Sequence, residues 1–395
     1  MDMPTRNLSK LVVIIMLYFM AFAHMDNSLN VIALYVVLPC AFIITLTSSN
    51  MPFKVSRSFN ILIILYLWVM FSMLFSSNLA ISSGHITQMM GCVLLSYIIG
   101  VQAKDEKIIP WLYIVYAIIY AVSIHYVVTN ILPMMYIGEE RVTDERLNGN
   151  KLAYYTFYTT FVVFIFGEIL QKKYIRKVCR CLFFCIIPLS LWVAYITASR
   201  QILVMQIPLM VILLFLRYWK YGKTTSKILI TVFLCCAIPI VYSYITPIFE
   251  DSLLVERSED IEDDARLLLI QETIDIGLNN PLVGVGTGCV RLYTTERSFA
   301  HNTFLELFAG TGVIGMLIFI GLLWDFLSTQ IKRYMATHDK MYMYFLIFGV
   351  FFIIDQTFYV FYYAAYLISF MILVASHSDT YYRNHQLLLN GESRI

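Results

Sequence analysis

Arg200, Arg266 and His301 carry the chemistry that this weakly charged chain can offer. Arg200 ends the stretch Ile196-Thr197-Ala198-Ser199-Arg200 at the close of an apolar run. Arg266 opens a short amphipathic segment just after the acidic run Glu256 to Asp264, and His301 stands where apolar sequence resumes. A guanidinium stays charged and matches phosphate oxygens bidentately, so two of them can hold a diphosphate and stabilise charge on it as it departs. An imidazole, with an unperturbed pKa near ~6.5, can take a proton from an attacking hydroxyl. Together the three suit group transfer from a diphosphate leaving group to a hydroxyl acceptor. Singly, each has a plainer reading: Arg200 snorkelling to lipid headgroups, Arg266 paired with Glu262 or Asp263, and His301 as an interfacial residue at a helix start.

The elements that position them are membrane spans. Hydrophobic residues make up 59% of the chain and charged ones 14%, with a mean hydropathy of +0.73, whereas soluble domains carry roughly 25% charged residues. The apolar residues fall in continuous runs, without the alternation of a β-barrel, so the spans are helices that satisfy their own backbone in lipid. Spans are expected near residues 9–24, 29–47, 59–76, 86–102, 109–128, 152–170, 178–197, 201–217, 228–246, 302–325, 341–356 and 358–376. The fold class is thus all-α integral membrane, with about twelve transmembrane helices. No cleavage site follows the first run, which reads as a retained span. Seven of the cysteines, Cys40, Cys92, Cys179, Cys181, Cys185, Cys235 and Cys236, lie in or beside spans, and Cys289 is placed in an outward loop, so a disulfide scaffold is not expected.

Charge asymmetry supplies a second, independent signal, because short cytoplasmic loops collect Lys and Arg. With the N-terminus inside, alternate connections hold all 28 basic residues except Arg141, Arg146, Lys151, Arg200, Arg257, Arg266, Arg291 and Arg297. Both termini are then cytoplasmic and the candidate chemistry faces outward. Residues 1–395 read as a single polytopic domain with outward loops at 129–151 and 247–301 and a frayed cytoplasmic tail at 377–395. The larger loop predicts a surface helix from Ala265 to Leu278 lying on the membrane part, its apolar stripe being Leu267, Ile270, Ile274 and Leu278. That helix stops at Asn279-Asn280-Pro281 and is followed by a flexible turn rich in Gly284, Gly286 and Gly288. The glycine spacing has no preceding strand and no Lys-Ser/Thr after it, which excludes a nucleotide loop.

These residues resemble the bacterial O-antigen polymerase and O-antigen ligase family. Ile196-Thr197-Ala198-Ser199-Arg200 is similar to the family's T-G-S-R turn. Arg266 followed by Asn280-Pro281-Leu282-Val283-Gly284-Val285-Gly286 is similar to its arginine helix ending in N/H-P-L-x-G-x-G. His301-Asn302-Thr303-Phe304-Leu305-Glu306 with Gly310-Thr311-Gly312-Val313-Ile314-Gly315 resembles its H-N-x-x-L-E span start, the most specific of the matches. Arg146-Leu147-Asn148-Gly149-Asn150 resembles an asparagine-containing segment before the next span. The chain departs from the pattern at Ala198, Gln201 and Ile270, and lacks a proline before Asn150.

The resemblance implies a GT-C-like membrane glycosyltransferase of the bacterial cytoplasmic (inner) membrane with its site facing the periplasm. Its donor is a glycan linked through pyrophosphate to undecaprenol. Arg200 and Arg266 then hold the diphosphate and His301 acts as base, while Arg146, Asn150, Gly284, Gly286, Asn302 and Glu306 contact substrate. No cofactor, metal or nucleic acid is implied. The partners are the bilayer, the lipid-linked oligosaccharide, and a flippase and chain-length regulator of the same pathway. The polymerase branch is preferred. The alternatives are a ligase moving the glycan to lipid A core, a lipid-linked sugar flippase or transporter, and a metal-dependent transferase using Asp26 or Glu262, Asp263 and Asp264. Asp355 and Gln356 read as cavity lining. His24, His85, His125 and Tyr155 are further candidates for sugar contact.

Overall fold

A computed structural model of the chain describes residues 3–48, 55–134, 149–197, 205–220, 222–225, 227–228, 231–232, 235, 262–360 and 362–389. Every regular element among them is helical. In order these are α1 (Met3–Ala23), α2 (Asn27–Ser48, π-wound at Ala33–Val37), α3 (Arg57–Ser72), α4 (Leu79–Gln102), α5 (Ile109–Tyr126), α6 (Gly149–Ile169), α7 (Lys173–Thr197), α8 (Ile207–Leu214), α9 (Glu262–Asn279), α10 (Thr303–Thr337), α11 (Lys340–Asp355) and α12 (Ala365–Leu389). Among the described residues seven helices are long and apolar enough to cross a bilayer. The protein is an all-α integral membrane protein.

Side-chain caps show why the helices start where they do. Asp26, Ser56, Asn78 and Asp339 each accept a backbone N–H from the first turn of α2, α3, α4 and α11, satisfying donors that a helix start leaves open. Asp26, weighed above as a metal ligand, is occupied as such a cap. The Asn78 cap also corrects the expected span 86–102. Serines, Gly84 and His85 dilute the hydropathy of its first turns, yet α4 begins at Leu79.

Two compact units form, Met1–Val115 with Asp264–Ile395, and Tyr116–Asp263. In the first, α3 packs on α10, α10 on α11, and α4 on α2, α3 and α12. The helices present apolar stripes outward: Leu8, Leu11, Ile15, Phe19 and Phe22 on α1, and Leu317, Ile320, Trp324, Ile331 and Met335 on α10. Spacings of three, four and seven make each a single face, wetted by lipid rather than water. One end of this unit gathers the expected cytoplasmic connections. There Lys10 pairs with Asp105, Arg57 Nε meets Asp325 at 2.9 Å, Arg333 Nη1 donates to Ser378 Oγ at 2.8 Å, and Arg383 Nη2 donates to the Lys104 carbonyl at 2.9 Å. The expected frayed tail is corrected here. The helix runs on to Leu389, with His377, Ser378 and Thr380 buried because the Tyr113 hydroxyl, Arg333 with Gln330, and the Ala103 carbonyl respectively supply their polar partners.

In the second unit α6 packs on α7. Glu168, almost fully buried, accepts from Arg180 Nη2 at 3.1 Å and Arg217 Nε at 2.9 Å, and the Arg217 guanidinium lies 3.8 Å above the Phe164 ring. Buried charge is tolerated there because it is paired and stacked.

Candidate functional site

At the opposite end of the first unit α10 is broken. Its 35 residues would reach about 52 Å as one rod, well beyond the roughly 30 Å hydrocarbon core. Gly312, at φ 74° and ψ 177°, interrupts the helix, and that backbone region is essentially restricted to glycine. In an unbroken helix Ala309 C=O would receive Val313 N–H, and Gly310 C=O would receive Ile314 N–H. Instead, Val285 N–H donates to Ala309 C=O and Gly286 N–H to Gly310 C=O, both at 2.9 Å, while Val313 N–H turns to Pro281 C=O at 2.8 Å. Trp68 Nε1 takes the Thr311 carbonyl at 2.9 Å. The loop after α9 is thereby hydrogen-bonded into the break.

The expected flexible glycine turn is corrected by this geometry. Gly284 has φ 70°, and a Cβ on it would sit 2.4 Å from the Gly310 carbonyl carbon. The glycines serve close backbone approach. On its other side the loop is tied to α4 and its approach: Ser77 N–H donates to Val285 C=O at 3.0 Å and Ser82 Oγ to Thr287 C=O at 2.9 Å. Val285, Cys289, Val290 and Ala309 bury a small core beneath it.

His301 lies where this loop enters α10. It holds a left-handed backbone at φ 49°, uncommon for a residue with a side chain. Its Nε2 is 3.4 Å from Ser298 Oγ, and its ring centroid is 6.3 Å from that of Tyr359. Asn302 caps α10, Oδ1 accepting from Phe304 N–H at 2.9 Å and Leu305 N–H at 3.1 Å. One turn in, the fully buried Glu306 accepts Ala300 N–H on Oε2 at 3.1 Å. Thr303 N–H donates to Gln356 C=O at 2.9 Å, and its hydroxyl to Tyr359 C=O at 2.8 Å. Residues 358–360 and 362–364, expected inside a span at 358–376, are instead irregular, with Tyr359 against the His301 segment; α12 starts only at Ala365.

Arg291 is the cation that sequence reasoning did not single out. It was legible only as one of the outward basic residues. Half-buried, its guanidinium carbon lies 5.5 Å from the Phe299 ring centroid, and its charge reaches both Glu306 and His85. His85 stands edge-on to Tyr363 at 4.7 Å and to Phe299 at 5.9 Å. No spacing rule connects α4 to residues 291–299, so only the fold brings these together.

Arg146 and Arg200 lie outside the described residues, as do the side chains of Asn150 and Arg266. The backbone of Arg266 is in the early turns of α9, and that of Asn150 in the first turn of α6. α9 ends at Asn279 as expected, but the expected apolar stripe is corrected. Leu267, Ile274 and Leu278 are exposed, and Leu269, Thr273 and Gly277 are buried. A Cβ on Gly277 would lie 2.4 Å from the Phe308 ring, so α9 meets α10 through its smallest side chain and turns the leucines outward.

A family model described as O-antigen ligase matches residues 183–320. No curated protein matches the chain. The matched stretch contains Arg200, Arg266, the glycine loop and the broken start of α10, and over it the chain is similar to the O-antigen ligase family.

Proposed function

We propose that this protein polymerises oligosaccharide repeat units linked through pyrophosphate to undecaprenol, on the outer face of the bacterial cytoplasmic membrane. The family match over residues 183–320, which takes in each of the patches centred on Arg200, Arg266 and His301, supports transfer of a lipid-linked glycan by polymerase and ligase alike; the preference for a polymerase rests on the chain's departures from the family pattern at Ala198, Gln201 and Ile270. In the reaction an acceptor hydroxyl oxygen bonds to the anomeric carbon of the donor sugar as the bond from that carbon to the diphosphate oxygen breaks. The lipid diphosphate leaves with the electron pair. His301 takes the hydroxyl proton, and Arg200 and Arg266 balance the charge on the departing diphosphate, the place a metal ion fills in other transferases. Arg146, Asn150, Asn302 and the backbone at Gly284 and Gly286 line the substrate path, while Glu306, expected there from sequence, is fully buried behind it. About twelve spans, cytoplasmic termini and a GT-C-like arrangement complete the reading, with a flippase supplying the lipid-linked unit and a chain-length regulator acting on the product.

An outward site has no access to cytoplasmic nucleotide sugars, so a donor already activated by its own diphosphate fits the chemistry. Deleting the gene should leave a surface glycan of single repeat units, seen as one band in place of a ladder. Complete loss of surface glycan, with long lipid-linked chains accumulating, would instead identify a ligase.

A further inference from the structure

We propose that Glu306 is a positioning residue that sets His301 for proton transfer by holding the backbone on its N-terminal side. The inference rests on the reading of His301 as the base. Three observations support it. The Glu306 carboxylate reaches back past His301 to accept the N–H of Ala300 at 3.1 Å. Asn302, the next residue, is fixed from the other side by capping Phe304 and Leu305 and by its carbonyl, which accepts Glu306 N–H at 2.9 Å. His301 between them keeps a positive φ of 49°.

The arrangement is a capping box stretched by one turn position. In the ordinary form an acid in the first turn accepts the N–H of the cap itself. Here it accepts the N–H two residues earlier, so that the residue in between is pinned at both ends. Left-handed backbone is retained only where its surroundings over-determine it. The geometry also carries a cost. Glu306 is fully buried and its Oε1 has no hydrogen-bond partner among the described residues, an arrangement a purely structural site would fill more cheaply with an apolar side chain. What the carboxyl supplies is one correctly placed acceptor.

The sharp test separates that acceptor from the charge. Glu306→Gln keeps a carbonyl oxygen for Ala300 N–H, and Glu306→Ala removes it. In full-length purified protein assayed with lipid-linked repeat units, Glu306→Gln should stay within about threefold of the parent. Glu306→Ala should lose roughly tenfold to a hundredfold in kcat with little change in KM, as a misplacement near 1 Å does. Hydrogen exchange at residues 300–302 should quicken in Glu306→Ala and not in Glu306→Gln. In a His301→Asn background Glu306→Ala should add less than about twofold, because the two act as one unit. If Glu306→Ala does not accumulate, Glu306→Asp, one methylene too short to reach Ala300, takes its place. Equal losses for the glutamine and alanine variants, or a loss that multiplies with His301→Asn, would overturn the proposal while leaving the polymerase reading intact. Full activity of His301→Asn would overturn the reading of His301 itself, and the exchange data would then still report whether Glu306 holds the backbone.

Discussion

Gly312→Ala is expected to prevent the chain from accumulating as folded protein. A Cβ at this position would lie 2.0 Å from the Leu282 carbonyl oxygen, a contact relieved only by moving the backbone of the loop. Forcing alanine into this φ/ψ region costs about 1–3 kcal/mol. Displacing the loop also removes the hydrogen bonds of Val285, Gly286 and Val313, each worth roughly 0.5–1.5 kcal/mol. The sum, about 5 kcal/mol, equals much of the net stability of a typical domain, ~5–15 kcal/mol. Gly321 is the internal control: it lies in the same helix with nothing among the described residues within 4 Å of its would-be Cβ, so Gly321→Ala should be neutral or mildly stabilising. Size-exclusion profiles and melting temperatures in detergent read the difference. A Gly312→Ala protein as stable as Gly321→Ala would mean that the loop is not locked into the break.

His301→Asn is expected to lose about 10²- to 10⁴-fold in transfer rate while the protein stays folded. Asparagine is the informative replacement. It accepts positive φ more readily than alanine does, so the left-handed backbone at φ 49° is kept and only the titratable ring is lost. Single-turnover rates against unchanged expression and melting temperature isolate the chemical step. A loss confined to KM would point to substrate binding rather than proton transfer.

The spans of this molecule can be read from hydropathy, because a bilayer imposes it on every crossing helix. Runs such as 59–76 and 109–128 recur as α3 and α5 with small changes at their ends, and Pro281 stops α9 within a residue of the expected place. The candidate site was legible as motifs but not as geometry. His301, Asn302 and Glu306 are adjacent in sequence, so their grouping needed no fold. By contrast, nothing local shows that Gly312 breaks a helix, since glycine is common in spans and the break depends on Pro281, Val285 and Gly286 arriving from another segment. The same holds for Arg291 beside Phe299 and within reach of His85. The stripe on α9 misled for a different reason. Leu267, Ile274 and Leu278 share a face, but close approach to Phe308 requires the face that carries Gly277, and small size outweighed hydrophobicity.

Polymerisation by the isolated protein tests the central claim most directly. Purified full-length protein is incubated in vesicles with undecaprenyl-pyrophosphate-linked repeat units and a metal chelator, and the products are resolved by size. The predicted result is a ladder of lipid-linked chains growing by one repeat unit per step, absent with His301→Asn. Products that appear only when a lipid A core acceptor is added, or a ladder that appears only when a divalent metal is restored, would contradict it.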